Sequence, residues 1–315
     1  MSKPLVSICI PTYNRSKYLK KCIDSIISQV EFQNGLVEIV ISDNASEDDT
    51  QEVVLTYSEK YKNVLYSKNS QNVKDKNYPI VLSKANGVLR RLCNDALIFQ
   101  PNSLNSMCEV VKKYKSDRPY LFWANGVVKV NMENVNFQEF VRETSFRMTS
   151  IACFSIWEDD AVNLSSDLAG SELLLWQVRK ALELVYNKKK AVINNTVLTT
   201  VQSVQKKNIS YGLYQVFFLN FFQLLQPYFD MKILTECDRD KLEKDLLFDF
   251  FLGWCVEWEL QNSNFQYSLE ENLKQVIEKQ YSDKSYWKEY QKKYKIEKIK
   301  CKIKKNIKSV IKIQK

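Results

Sequence analysis

Near the N-terminus, the residues that could bind a ligand or take part in catalysis lie at the ends of two apolar segments. They are Pro11, Thr12, Tyr13, Asn14 and Arg15 after the first segment and Asp43 and Asn44 after the second. The segments, residues 6–10 and 37–42, are typical of buried strands, and a helical pattern follows each one. The carboxyl ends of parallel strands meet at one edge of a sheet, where ligands bind. The sequence therefore predicts a single ligand crevice that contains both sets of residues.

Asp43 is the residue in this crevice whose chemistry is easiest to name. Its carboxylate can accept the imide N–H of a uracil ring, while the neighbouring loop and Arg15 can bind a base, a ribose or a phosphate. The simpler interpretation is that Asp43 and Asn44 only begin a turn and cap a helix. The spacing alone leaves both interpretations open.

Asp95 follows a further predicted strand, residues 88–92, in the same way. A carboxylate at this edge could hold a divalent ion that bridges a diphosphate and neutralises the leaving group. A turn formed by Asn94 and Asp95 is the simpler interpretation, and the residues alone favour it.

The chain has no histidine, which excludes Ser-His-Asp and Cys-His nucleophilic mechanisms and imidazole bases. Acid–base chemistry must use Asp, Glu, Lys, Tyr or Cys, and the remaining oxygen donors suit magnesium or manganese better than zinc. The eight cysteines form no Cys-x-x-Cys pair, so neither a zinc site nor a disulfide framework is expected. With no signal-peptide pattern at the start, we expect a cytoplasmic protein.

The elements that must position these residues alternate as strand and helix over the first part of the chain, which predicts an α/β fold with a mainly parallel sheet flanked by helices. Further along, we expect a strand at 127–130, a helix at 170–185 and a dense aromatic, helical segment at 211–260. We also expect residues 46–49 to form a capping box and Gly87 to end a helix that begins at Tyr78. The predicted regions are 1–130, 131–210, 211–283 and 284–315.

Charge is concentrated at the C-terminus. The net charge is +9, yet 13 lysines and two glutamates follow residue 283, so the rest of the chain is slightly negative. Apolar residues recur there every three or four positions: Ile296, Ile299, Ile303, Ile307 and Val310. This pattern predicts a basic amphipathic helix on an anionic membrane surface. A helix that packs its isoleucine face on the core is the alternative, and no motif indicates a nucleic acid partner.

Several of these segments together resemble the N-terminal half of a family 2 glycosyltransferase, of the type that builds bacterial O-antigen and capsule. The resemblance covers about residues 4–115 and lies in residues 6–15, 38–46, 49–50, Asn72, 75–78, Ala85, Gly87 and 92–95. It implies a GT-A fold, that is, a Rossmann-like, mainly parallel sheet between helices, here with an α-helical C-terminal extension.

The resemblance implies a role for each residue of the crevice. The loop from Pro11 to Arg15 would line the nucleotide pocket and Asp43 would pair with the base. Asn44 would belong to the same pocket, and Asn72 and Asn77 would border the donor. Asn94 and Asp95 would lie at the diphosphate, because Asp95 matches the final Asp of the Asp-x-Asp motif, which ligates Mn²⁺ or Mg²⁺. The first Asp of that motif is replaced here by Cys93 or Asn94.

An inverting member of the family takes the acceptor proton with a carboxylate from the second half of the domain. The candidates are Glu172 and Asp167, with Glu158, Asp159 and Asp160 as further alternatives. The simpler interpretation of Glu172 is an acidic residue that favours a helix N-terminus.

The function implied is transfer of a sugar from a nucleotide diphosphate sugar, most simply a UDP-sugar, to a glycan. The acceptor would be a lipid-linked O-antigen or capsule intermediate, and the protein would be peripheral to the inner face of the cell membrane. Two alternatives remain open: a non-catalytic nucleotide-binding partner of another transferase, and a peripheral membrane organiser.

Overall fold

The computed structural model of the chain describes residues 3–203, 207–209, 211–260, 265–267 and 272–313, and at 207–209, 265–267 and 306–313 it describes the backbone alone. The chain divides into two compact units, Met1–Ser203 and Val204–Lys315. The four predicted regions are a finer division than this one and stay a prediction.

The first unit is an α/β unit. Its strands are β1 (Val6–Thr12), β2 (Val37–Asp43), β3 (Val64–Lys68), β4 (Leu89–Leu92), β5 (Leu97–Phe99), β6 (Tyr120–Trp123), β7 (Met132–Val135), β8 (Ser155–Trp157), β9 (Ala191–Asn194) and β10 (Thr199–Val201). Its helices are α1 (Ser16–Ile27), α2 (Val30–Gln33), α3 (Thr50–Lys60), α4 (Asn77–Ser83), α5 (Ser103–Tyr114), α6 (Phe137–Thr144) and α7 (Trp176–Lys188). Short 3₁₀ turns lie at Lys74–Lys76, Ser145–Thr149, Ile151–Cys153 and Glu158–Ala161.

The main sheet has five strands in the order β3-β2-β1-β4-β8. Its first four strands are parallel, and β8 is antiparallel to β4. The chain builds outward from β1 to β3 and then returns to the other side of β1 with β4. The strand order therefore reverses between β1 and β4, and open α/β sheets bind their ligands at such a switch point.

Burial explains why these segments form a parallel sheet. Every residue of β2 is buried, as expected for a strand covered on both faces by helices. On α1 the residues Leu19, Cys22, Ile23 and Ile26 are buried at the helical spacing that the sequence predicts. The same core cluster continues into α5 and the sheet interior. Two smaller sheets complete the unit: β6-β9-β7, and the antiparallel pair β5 and β10.

The strand expected at 127–130 is wrong. Asn125 and Gly126 have positive φ angles of 51° and 85°, so the chain turns immediately after β6. The backbone N–H of Val128 bonds to the Asn195 side chain rather than to a strand. The next strand is β7, a few residues later, and it pairs with β9 on the side opposite β6.

The capping box expected at residues 46–49 is also absent. Helix α3 begins at Thr50, and the carboxylate of Asp48 accepts from the backbone N–H of Thr50 and from that of Ser16 at the start of α1. One side chain therefore accepts from the first backbone N–H of two helices, and its contact with Ser16 is a long-range one that local spacing cannot reveal.

The second unit is largely helical. It contains α8 (Phe221–Asp230), α9 (Glu236–Asp245), α10 (Leu252–Glu259), α11 (Leu273–Tyr281) and α12 (Trp287–Ile313), with π-helical turns at Gln215–Asn220 and Leu246–Phe251. A short parallel pair joins β11 (Lys207–Ile209) and β12 (Phe265–Tyr267). None of the described helices is both long enough and apolar enough to cross a bilayer.

Helix α12 carries the basic tail. Tyr290 and Tyr294 near its start are buried, and Lys298 forms an ion pair with Glu259 on α10. The isoleucines further along are not buried: Ile296, Ile299 and Ile303 are 44%, 58% and 53% exposed. The alternative that this face packs on the core therefore fails for these three residues. Ile307 and Val310 lie outside the described side chains.

Candidate active site

Arg15, Thr12 and Asp95 meet at the switch point of the main sheet. Thr12 is the last residue of β1 and Arg15 follows that strand. Asp95 follows β4, the strand beside β1. Nη1 of Arg15 lies 2.9 Å from Oδ1 of Asp95, and the Thr12 hydroxyl donates to Oδ2 of Asp95 at 3.0 Å. The structure therefore brings together two of the three sequence-predicted strand ends through direct side-chain contact.

This ion pair is largely withdrawn from solvent. The side chain of Arg15 is 15% exposed and that of Asp95 is 4% exposed. Nε of Arg15 is buried and has no hydrogen-bond partner among the described residues. Removing one member of a buried ion pair typically costs about 3–5 kcal/mol, because the other charge is left uncompensated. Neither residue is a free surface charge.

The residues before Asp95 show whether a divalent ion fits here. The thiol of Cys93 is buried and donates to the carbonyl of Asn94, while Oδ1 of Asn94 accepts from the backbone N–H of Ala96. Within the described ranges, no group of three or more His, Cys, Asp or Glu side chains is placed to hold a metal ion. A site with one carboxylate, already paired with Arg15, does not fit a hard divalent cation, which prefers several oxygen ligands.

Asp43 ends β2 and is fully buried. Its Oδ1 accepts from the backbone N–H of Ser46 at 2.8 Å, and its Oδ2 accepts from the Tyr66 hydroxyl at 2.9 Å. Burial and then the bond to the Asp43 carboxylate raise the pKa of Tyr66 well above its ordinary value, so this hydroxyl stays a donor. Each carboxylate oxygen has the lone pairs to accept a second bond, but because the side chain is fully buried, a ligand N–H reaches it only when the covering residues move aside.

The loops after β1 and β2 are joined to each other. Asn14 has a φ of 51°, its backbone N–H donates to the Ser46 hydroxyl at 2.9 Å, and its Oδ1 accepts from the backbone N–H of Glu47 at 2.8 Å. Asparagine tolerates this left-handed conformation better than most residues. Asn14 therefore holds the Arg15 loop against the Asp43 loop.

Asn44 and Asn72 hold the loop after β3 against β2. The side-chain N–H of Asn44 donates to Oδ1 of Asn72 at 2.8 Å, and Oδ1 of Asn44 accepts from the backbone N–H of Val73 at 2.9 Å. Asn77 is buried, and it bonds to Ser42 and Asn69 instead. Asn72 is exposed at the surface of this loop, whereas Asn77 supports the loop from beneath.

Pro11 and Tyr13 complete the predicted pocket. Pro11 pairs in register with Ser42 of β2. Its nitrogen, which carries no hydrogen, faces the β4 side of β1, past the last β4 residue that pairs with β1. A proline is tolerated there because no ladder bond is lost. Tyr13 is 38% exposed.

The structure has a small and a larger cavity in this unit. One of about 260 Å³ is lined by the loop residues Gln71, Asn72, Val73, Lys74 and Lys76. In the same loop, burial raises the pKa of Asp75 to about 7. A larger cavity of about 480 Å³ lies around the end of α1 and the residues before α5, away from the strand ends described above. We assign the site to the strand ends, because that is where ionised groups converge.

Asp167 and Glu172 lie in the turn-rich segment before α7. Asp167 forms ion pairs with Arg179 and with Lys180, the latter at 3.1 Å. Burial raises the pKa of Asp167, but the bonds from Arg179 and Lys180 outweigh it and hold the pKa below its ordinary value. A carboxylate held in this way is a weak base.

Glu172 is exposed, and its carboxylate accepts from the backbone N–H of Gly170 at 3.1 Å. The helix expected from residue 170 begins only at Trp176, because Gly170 and Leu174 have positive φ angles of 81° and 57°. Glu172 is therefore not a first-turn helix residue. No ion pair holds it within the described part of the chain, unlike Asp167.

The segment containing these two residues is linked to the carboxyl edge of β4. The ring of Trp176 packs edge-on against Phe154, whose carbonyl accepts from the backbone N–H of Leu92. The indole N–H of Trp176 donates to the carbonyl of Asp167. By contrast, Glu158 bonds to Val88 at the other end of β4, so 158–160 lie at the opposite edge from Asp95.

Several residues that shape this site have no obvious signal in the sequence. Ser46 bonds to Asn14, Asp48 to Ser16, Tyr66 to Asp43 and Asn69 to Asn44. For Tyr66 the sequence offers one indication, which is that the third strand also ends in polar residues. In the structure Lys68 at that end pairs in register with Asp43.

Comparison with known proteins assigns part of the chain to a family. Residues 7–138 match the model of "Glycosyl transferase family 2". These residues are a family 2 glycosyltransferase domain. The predicted resemblance is confirmed, and so is the GT-A fold, with its mainly parallel sheet between helices and its helical C-terminal region.

The chain is similar to both curated and solved proteins. Abequosyltransferase RfbV of Salmonella typhimurium is 45% identical over 85 residues, which is 26% of this chain and 25% of that protein. The crystal structure of S. aureus TarS in complex with UDP-GlcNAc has a TM-score of 0.52 at 15% identity and covers 81% of this chain and 76% of that one. The structure of the mannosyltransferase PcManGT from Pyrobaculum calidifontis contains GDP-Man and Mn²⁺, with a TM-score of 0.49 at 14% identity over 95% of this chain and 88% of that one.

The curated likeness covers only about a quarter of the chain. The chain spans about a quarter of the length of the curated relatives that it matches. The second half of the unit, with Asp167 and Glu172, lies outside the family match.

Proposed function

We propose that the protein transfers a sugar from a nucleotide diphosphate sugar, most simply a UDP-sugar, to a glycan acceptor. One observation carries the proposal: the family 2 match covers the three strand ends on which Arg15, Asp43 and Asp95 lie. Two observations support a uridine nucleotide: UDP-GlcNAc is bound in the structure of TarS, and the Asp43 carboxylate lies at the end of β2, where the base would bind.

The reaction proposed is an inverting displacement. The acceptor hydroxyl oxygen forms a bond to the anomeric carbon while the bond from that carbon to the β-phosphate oxygen breaks. The electron pair leaves with the nucleoside diphosphate, and the hydroxyl proton goes to a general base. Glu172 is our candidate for this base, since Asp167 is committed to Arg179 and Lys180.

The test is a donor screen with the full chain. UDP-, GDP- and CDP-sugars are offered with a glycan acceptor, and release of the nucleoside diphosphate is measured. We expect turnover with one donor class, and its loss in Asp43→Asn and Asp95→Asn while both variants still unfold cooperatively. These substitutions are milder than alanine, which would leave the Tyr66 hydroxyl and the Ser46 N–H without an acceptor. Turnover that survives in both variants would contradict the site.

A non-catalytic nucleotide-binding partner of another transferase is the second candidate. It is favoured by the single carboxylate in Cys93-Asn94-Asp95. Calorimetry with UDP separates the two: binding without turnover of any donor supports the partner, and turnover excludes it.

The acceptor that we propose is a lipid-linked O-antigen or capsule intermediate, and the abequosyltransferase likeness supports the O-antigen class. In this proposal the protein is cytoplasmic and peripheral to the inner face of the membrane, and α12 contacts anionic lipid. The exposed Ile296, Ile299 and Ile303 among lysines are the supporting observation.

Point substitutions test the membrane contact better than truncation, since removal of the chain after residue 285 would also remove the buried Tyr290 and Tyr294. The variant Ile299→Ser with Ile303→Ser should lose co-sedimentation with phosphatidylglycerol vesicles but not its fold. Leu55→Ser, at an exposed leucine of α3, is the matched control and should bind as before. Undiminished binding of the isoleucine variant would refute this contact.

A further inference from the structure

We propose that Arg15 supplies the positive charge at the donor diphosphate in place of a divalent cation, and that Asp95 is the residue that positions the Arg15 side chain. This inference rests on the proposed function, because it names the cation within the same site. It assigns Asp95 a different role from the metal ligand that the resemblance implies.

Among the described residues, too few side chains around Asp95 could act as ligands of a divalent ion. A divalent ion needs several oxygen donors, and a second acidic side chain is missing at this position. Asn94 uses its oxygen to bond the backbone of Ala96, and the Cys93 thiol is buried against a carbonyl. The one remaining carboxylate is already neutralised by Arg15 at 2.9 Å.

The unused donors of Arg15 are the second argument. A guanidinium has five N–H donors in a rigid fork, and in this ion pair a single Nη1 contacts a single oxygen of Asp95. Nε is buried and has no acceptor among the described residues. A buried N–H without an acceptor is costly, so a bound ligand that accepts from it would be favoured. Phosphate oxygens are suitable acceptors, because they match the fork geometry.

The position of Asp95 is the third argument. It is almost fully buried, and Thr12 fixes its second oxygen at 3.0 Å, so its charge can hold the Arg15 guanidinium close by at the switch point of the sheet. When the glycosidic bond breaks, negative charge grows on the diphosphate oxygen that leaves. A preorganised guanidinium beside it stabilises that charge without an added ion.

The experiment measures binding of UDP to the full chain by calorimetry, once with excess EDTA and once with excess MnCl₂, with GDP and CDP as further probes. We expect the wild-type dissociation constant to agree within about twofold between the two conditions, a difference below 1 kcal/mol. This readout requires no variant and is insensitive to effects on folding.

The variants then assign the cation. Arg15→Gln should weaken UDP binding in EDTA by about 10- to 100-fold, as expected for the loss of a charged hydrogen bond. Arg15→Lys should retain part of the affinity, because it keeps the charge without the fork. Asp95→Asn should weaken binding less, and by the same factor with EDTA and with MnCl₂. Arg118→Gln is the matched control, since Arg118 is ion-paired with Glu158 at the opposite edge, and it should bind like the wild type.

Three outcomes would overturn the inference. The first is UDP binding to the wild type that requires MnCl₂; the second is an Arg15→Gln variant that binds UDP normally in EDTA; the third is an Asp95→Asn variant that loses only a manganese-stimulated component. If none of the three nucleotides binds in either condition, the proposed function itself fails, which distinguishes that result from a metal-dependent site.

Discussion

The Tyr66 hydroxyl donates to Oδ2 of Asp43 at 2.9 Å, and this bond fixes the carboxylate at the end of β2. The partner comes from the adjacent strand β3, where Tyr66 pairs in register with Ile41. A carboxylate that is buried and already oriented can accept a base N–H without first being ordered, which reduces the entropic cost of binding.

Tyr66→Phe is expected to destabilise the protein by about 1.5–3 kcal/mol, since a hydrogen bond to a buried charged group is lost. UDP affinity should fall with it, because Asp43 loses its orientation. The pKa of Tyr66 is raised in the folded state, so the bond contributes fully below the ordinary tyrosine pKa of about 10 and is lost as pH rises through the raised value.

Urea unfolding of the variant and the wild type at pH 7 and at high pH measures this effect, and the difference should shrink as pH rises. Tyr61→Phe is the control, since the structure records no hydrogen bond from that hydroxyl among the described residues. A Tyr66→Phe variant as stable as the wild type at pH 7 would contradict the assigned role of the bond.

Asp75 should make stability depend on pH near neutrality. Burial raises its pKa to about 7, so the folded chain keeps this proton to a higher pH than the unfolded chain, whose carboxyl titrates near about 4. Stability from this group is therefore greatest at low pH and falls as pH rises from about 4 to about 7. Asp75→Asn should raise the free energy of unfolding at pH 8 by up to about 4 kcal/mol, and change it little at pH 4.

The measurement is urea unfolding of the Asp75→Asn variant and the wild type at the two pH values. Asp117→Asn, at an exposed carboxylate, serves as the control and should alter stability little at either pH. A pH-independent difference for Asp75→Asn would argue against the raised pKa.

Asp167 and Glu172 should respond differently to substitution. Glu172→Gln is expected to reduce kcat by about 10²- to 10⁴-fold, the usual contribution of a general base, with little change in stability. Asp167→Asn should instead cost about 1 kcal/mol of stability at neutral pH, a modest value because the ion pairs are partly exposed. Since the folded pKa of Asp167 is depressed, that contribution is present above about pH 4 and is lost as pH falls through the folded value.

Steady-state kinetics and urea unfolding on both variants separate these roles. Glu172→Gln with normal kcat would remove Glu172 as the base. Loss of kcat in a stable Asp167→Asn variant would transfer that role to Asp167.

Gly87→Ala should be strongly destabilising for a reason that is not conformational. A Cβ at Gly87 would lie 2.4 Å from the Ser7 hydroxyl oxygen and 2.7 Å from the Ser7 backbone nitrogen, so β1 or the turn before β4 must shift. We expect a loss of about 1–3 kcal/mol in urea unfolding, typical of overpacking.

Gly253→Ala is the matched control, because a Cβ there meets nothing within 4 Å on helix α10, and it should be neutral or stabilising by about 1 kcal/mol. UDP affinity of folded Gly87→Ala should be unchanged, because Gly87 precedes β4 and Asp95 follows it. Altered affinity would mean that the two ends of β4 are coupled.

The sequence by itself determined the elements whose pattern is local. Apolar segments bounded by polar residues predicted β1 and β2, and helical spacing predicted α1, because burial on a strand or helix follows the residue period. The strand ends that carry Arg15, Asp43 and Asp95 were predicted for the same reason, whereas the family was predicted from the resemblance of residues 4–115 to known sequences. The tail lysines were evident from composition and the spacing of the isoleucines from periodicity, whereas the structure decided that Ile296, Ile299 and Ile303 are exposed.

Tertiary structure decided which of these residues touch, because contacts between distant segments leave no local pattern. The pairing of Arg15 with Asp95 depends on β4 inserting beside β1, and the bond from Tyr66 to Asp43 depends on β3 lying beside β2. Gly87 was predicted to end a helix, yet α4 ends at Ser83 and Gly87 is required by the close approach of Ser7. Parallel sheets are built from such long-range neighbours. The residue types therefore indicated which strand ends could bind a ligand, whereas only the packing showed that Arg15 lies beside Asp95.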